Sequence, residues 1–215
     1  MKAPGETDRL IQTLARQSVS ERDRTPFAFD RNFLISVALS LAISVAMVLA
    51  LVGVRENLLA VDHRIPFAFK IASMLSLAWG GFFLARRAAR PGSRGLPLLA
   101  LLPGVLLLAF RAVTDRSGLP AMGRTDVSVA VCVGTILAVS MPGLWLILRA
   151  LRAGAATRPG IAGALAGLLS GTLGATAYAL GCISDGGLFV AIWYPAAILI
   201  MTGLGGLIGR RVLAW

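Results

Sequence analysis

The sequence predicts an all-α membrane protein, a six-transmembrane-helix bundle with both termini in the cytoplasm. Composition is the first reason. Of 215 residues, 57% are hydrophobic and 14% charged, with a mean hydropathy of +0.79, whereas a soluble domain is roughly 45–50% apolar and 25% charged. Length is the second. Six apolar runs divide the chain: Phe33–Val54, Pro66–Ala85, Leu96–Ala112, Val127–Leu148, Ile161–Leu180 and Leu188–Ile208. Five match the ~20 residues that a helix needs to cross hydrocarbon, and the third sits at the short limit. None alternates with period two, which excludes a β-barrel. Charge is the third. Fifteen basic residues fall in the N-terminal tail, the second and fourth connections and the C-terminus, against five in the first and third connections. Basic residues gather on the cytoplasmic side. The expected organisation is therefore a cytoplasmic segment 1–32, a transmembrane domain 33–208 and a cytoplasmic end 209–215.

The opening segment carries six basic and five acidic residues. Within it, Asp8–Gln17 (DRLIQTLARQ) sets Leu10, Ile11 and Leu14 on one helical face, with Arg9, Gln12, Thr13 and Arg16 around the rest. Thr7 or Asp8 can cap its start. At about three turns it is too short to persist alone in water. It needs a surface, either a soluble partner or the membrane itself. Ser18–Pro26 reads as a charged linker. In the apolar runs, Pro103, Pro142 and Pro195 are expected to kink their helices. Lys70, about one turn into the second run, is expected to snorkel outward. Tyr178, Trp193 and Tyr194 are expected at the outer interface and Trp145 at the inner one. Thr125 and Asp126 read as an N-cap for the fourth helix.

Gly163, Gly167, Gly171 and Ala175 recur every fourth residue of the fifth run, and Gly205 and Gly209 form a shorter series in the sixth. Such ridges let helix backbones approach closely, which is how helices pack in lipid.

Few residues are left to carry chemistry. The net charge of +11 is spread between apolar runs, not gathered on one face, so no direct nucleic-acid contact is expected. There is no nucleophile elbow, phosphate loop or CxxC, and no enzyme activity is expected. The runs hold no internal Asp or Glu, which counts against ion-coupled transport. A small membrane transporter or channel, with a metal ion as one candidate cargo, is the alternative reading. His63 beside Asp62 reads as a solvated loop pair. The two cysteines stand out. Cys132 lies about 8 Å below the outer boundary of the fourth helix, and Cys182 follows the fifth helix on the same side. They can form a disulfide, hold a soft metal ion together, or pack as small apolar groups. No resident cofactor is expected, and a metal would be a transient ligand of this pair.

The segment TRPGIAGALAGLLSGTLGATAYALGCISDGGLFVAIWY, with the terminal GRRVLAW, is similar to the C-terminal half of the NrsF family, negative regulators of sigma F. TDRLIQTLARQ resembles that family's N-terminal helix, and VCVGTILAVSMPGL matches the region of its first cysteine. The resemblance implies a six-helix anti-sigma factor of the bacterial inner membrane. It implies that an extracytoplasmic-function sigma factor is held through Leu10, Ile11 and Leu14. It further implies that Cys132 and Cys182 sense metal or oxidative stress. Gly181 departs from the family pattern, where His often precedes the second cysteine.

Overall fold

In hydrocarbon every backbone N–H and C=O must be bonded within its own segment, so apolar runs of this length become helices. The computed structural model consists of α1 (Glu6–Leu51), α2 (Val61–Ala88), α3 (Leu102–Val113), α4 (Val129–Arg152), α5 (Pro159–Tyr178) and α6 (Gly187–Val212), with a 3-10 turn at Leu98–Leu101 leading into α3. The structure describes residues 5–55, 61–89, 97–115, 118, 129–154, 157–184 and 186–213, without the side chains of 6–28 and 61–64, and no strand occurs among them. Five helices are long and apolar enough to cross a membrane: Phe29–Leu51 within α1, Ile65–Ala88 within α2, and α4, α5 and α6. The third, Leu98–Val113, is shorter. Its 3-10 turn rises faster per residue than an α-helix, so it still extends about 26 Å.

Two local expectations are overturned. Ser18–Pro26 is not a linker, because α1 runs unbroken from Glu6 to Leu51. A membrane span already supplies the helical nucleus, and adding residues to an existing helix avoids the nucleation penalty. Pro103 does not interrupt a helix either. It occupies the first turn of α3, where its missing N–H would have no partner in any case. Pro66, Pro142 and Pro195 do lie inside α2, α4 and α6.

The bundle is built around α5, fifteen of whose twenty residues are buried. Its residues are mostly Gly, Ala, Ser, Thr and Leu, so neighbours can close on it from all sides. Against α6 the approach is backbone to backbone. A Cβ added at Gly163 would lie 2.6 Å from the Gly209 Cα, and one at Gly167 would lie 2.8 Å from the Met201 carbonyl carbon. Gly205 faces back, with its added Cβ 2.8 Å from the Gly167 Cα. Gly171 is looser, at 3.1 Å from the Met201 Cβ, and Ala175 is buried nearer the cysteines. On other sides, Gly174 meets Ser140 of α4 and Gly81 of α2 meets Leu168. Where lipid removes the hydrophobic drive between helices, this contact supplies the association. Buried hydroxyls are mostly bonded locally, but the Ser44 Oγ of α1 donates to the Val139 carbonyl of α4 at 2.8 Å. Large apolar side chains such as Leu39, Leu106, Phe110, Leu199 and Leu207 point outward, as a lipid-facing surface requires.

Gly167→Val forces a branched side chain into the α6 backbone, and overpacking of this kind costs about 1–3 kcal/mol. Gly134→Ala adds a Cβ that meets nothing within 4 Å. Thermal unfolding in detergent should show a lowered midpoint for the first and an unchanged or raised one for the second. Equal midpoints would refute the backbone contact.

Candidate functional site

Cys132 lies in the first turn of α4, and Cys182 follows the turn that ends α5, with its N–H donating to the Tyr178 carbonyl at 3.0 Å. Helices α4 and α5 are neighbours, so residues 50 positions apart in sequence enter one apolar cluster at one end of the bundle. Both thiols are free and buried, with 0% and 2% exposure.

Two tyrosines complete the cluster. The Tyr178 hydroxyl lies close to both thiols, and its ring packs 6.1 Å from that of Tyr194. Tyr194 is fully buried. Its hydroxyl lies beside the Cys182 thiol without reaching the geometry of a normal hydrogen bond. Both rings turn into the bundle rather than outward. Tyr178 precedes Cys182 by four residues, one turn of helix, and that spacing was the available signal.

Lys70 is the second correction. It does not snorkel outward but is buried at 4% exposure. Its ammonium donates to the Ser184 carbonyl at 2.8 Å and lies 3.5 Å from the Cys182 carbonyl, with the Tyr194 ring 6.0 Å away. A buried charge requires such partners. Lys70 thereby fastens α2 to the loop that carries Cys182. The same loop is held from α1, since a Cβ at Gly181 would lie 2.9 Å from both the Gly53 carbonyl oxygen and the Val52 Cγ1. That contact leaves no room for a His before the second cysteine. Nearby, Asp115 pairs with Arg111 and accepts the Leu188 N–H at 2.9 Å, which caps α6 with a carboxylate.

At the other end, α2 meets α1 again. Arg86 donates from Nε to the Asp30 Oδ1 at 2.8 Å and also bonds Oδ2 through Nη2. Arg149 lies over the Trp145 ring, 5.3 Å from its centre.

The backbone of Leu10, Ile11 and Leu14 belongs to α1, and their side chains lie outside the described residues. Asp62 and His63 fall in the first turn of α2 rather than in a loop, and their side chains too lie outside the described residues. Thr125, Asp126 and Asp185 lie outside the described residues altogether. Among the described residues no three or more His, Cys, Asp or Glu gather into a metal-binding group.

The family described as "Negative regulator of sigma F" matches residues 19–215. The chain belongs to the NrsF family. It is 31% identical to the "Anti-sigma-F factor NrsF" of Caulobacter vibrioides, over 97% of this chain and 99% of that protein. It is also 31% identical to the "Probable anti-sigma-F factor NrsF" of Azospira oryzae, over 86% of this chain and 89% of that protein. No solved structure matches. Both NrsF relatives are named as regulators, not as enzymes. Leu10, Ile11 and Leu14 precede the span matched by the NrsF family description.

Tyr194→Phe removes a buried hydroxyl whose nearest partner, the Cys182 thiol, is outside normal hydrogen-bond geometry. Leaving such a group unsatisfied costs about 1–3 kcal/mol, so the variant should unfold at the same temperature or higher. A clear drop would mean that the hydroxyl is bonded.

Proposed function

We propose that this chain is an inner-membrane anti-sigma factor, with its N- and C-termini in the cytoplasm. It holds an extracytoplasmic-function sigma factor through the Leu10, Ile11 and Leu14 face of α1. It releases that partner when Cys132 and Cys182 react with an oxidant or a soft metal ion. Family membership supports the regulatory role, and the positive-inside bias supports the orientation. The observation that carries the sensing role is the meeting of two thiols in one buried cluster with Tyr178 and Tyr194, at the opposite end of the bundle from Asp30 and Arg86.

Oxidation is the simpler chemistry at this pair. The two thiols give up two electrons and two protons as the S–S bond forms, and a peroxide or an azo reagent such as diamide accepts them. A metal ion would find two sulfur ligands, few for a stable site. Either event pulls Cys182 toward α4 and strains the hydrogen bonds between its loop and Lys70. Helix α2 carries that displacement to Arg86, which grips Asp30 on the partner-binding helix. The proposed switch needs two bundle arrangements that differ in affinity for the sigma factor.

In a bacterial two-hybrid assay against the extracytoplasmic-function sigma factors of the source genome, Leu14→Asp should abolish the pairing that wild type shows. An undiminished signal would remove α1 as the grip. Cys132→Ser/Cys182→Ser should still repress a sigma-dependent reporter but no longer respond to diamide or cadmium. A normal response would leave the thiols as packing groups.

A further inference from the structure

At the arginine end of the bundle a groove of about 770 Å³ opens between the start of α5 and the end of α6. Its walls are apolar and include Ile161, Ala164 and Leu207, while Gly203 leaves it unfilled, since a Cβ there would meet nothing within 4 Å. Ile161 and Leu207 are exposed along it. Arg158 and Arg210 line the same groove. The Arg210 side chain folds over the first turn of α5, where a Cβ at Gly160 would lie 3.0 Å from its Cγ and Nε. That turn contains no acidic residue, and neither arginine has an ion-pair partner among the described residues. Two uncompensated cations thus flank an apolar trough on helices long enough to cross a membrane.

We infer that this groove binds one anionic diacyl phospholipid, with its phosphate between Arg158 and Arg210 and an acyl chain along the Ile161–Leu207 trough. Charge complementarity selects the headgroup, because basic pockets between helices on the cytoplasmic side recognise anionic lipids. The apolar walls select a lipid over free phosphate, which would leave them exposed. This assignment rests on the proposed membrane placement and orientation, but not on the thiol switch or on sigma-factor binding.

The test uses the purified full chain in vesicles of phosphatidylcholine doped with phosphatidylglycerol, followed by native mass spectrometry of the lipids retained on extraction. Wild type should keep phosphatidylglycerol in preference to phosphatidylcholine. Each arginine near an anionic headgroup contributes a factor of roughly five, so Arg158→Gln/Arg210→Gln should lose about twenty-five-fold of that preference. Arg158→Lys/Arg210→Lys should keep most of it, which separates charge from misfolding. Gly203→Phe fills the trough, leaves both arginines in place and should also release the lipid. Equal retention of the two lipids by wild type would overturn the inference. So would full preference in Gly203→Phe, which would mean surface charge alone. Displacement of the lipid by excess inorganic phosphate would overturn it, as would a Gly203→Phe variant that loses only a dimer, because a second copy would then cover the groove.

Discussion

The bundle depends on the small side chains of α5. A central helix of Leu or Phe would hold its neighbours 8–10 Å or more from its axis. Gly163, Gly167, Gly174 and the hydroxyl residues between them let α6 and α4 close to backbone contact. In lipid this closeness is the main source of association, since tails solvate apolar side chains as well as a protein interior does. It also brings the end of α5, and with it Cys182, beside the first turn of α4. The thiol cluster is therefore a consequence of the packing and needs no special loop to assemble it.

Among the described residues the charged side chains and the thiols then collect at two ends. At one, a buried ammonium from α2, two thiols and two phenol groups share an apolar pocket with few hydrogen-bond partners. At the other lie the arginines that end α2, α4 and α6 and Arg158 just before α5, with Asp30 of α1 bonded to Arg86. Between them α2 is a single helix with Lys70 near its start and Arg86 near its end. The two groups are 16 positions apart, about 24 Å along the axis.

How far the sequence disclosed this arrangement follows from what each signal measures. Hydropathy reports transfer into lipid, so the apolar runs were legible and their helices follow. The four-residue glycine spacing reports a helix face, and Gly163 and Gly167 do meet α6. Helix continuation through Ser18–Pro26 was not legible, because composition suggests a linker while nucleation by an adjoining span decides otherwise. The inward turn of Lys70, Tyr178 and Tyr194 was not legible for a different reason. Rules for amphipathic side chains assume that the nearest polar environment is the membrane surface. Here the Ser184 carbonyl is nearer for Lys70, and Tyr178 finds the thiols. Only the tertiary packing reveals such internal partners.

Magnitudes decide which contacts can carry the proposed switch. Moving a two-state equilibrium from 1:99 to 99:1 requires about 5.5 kcal/mol. The Arg86–Asp30 pair is about one-third exposed, at 34% and 28%, and a pair of that kind contributes at most about 1 kcal/mol. It can report a shift of α2 but cannot drive one. Lys70 is buried, and a hydrogen bond to a charged group is worth about 1.5–3 kcal/mol, with more lost if the ammonium is left without its carbonyl partners. Breaking the Lys70 contacts, together with loosening of the loop packed on Gly53, is of the size that the transition demands. In the proposed switch the energy of release would therefore reside at the cysteine end, with the arginine end setting only which helix responds.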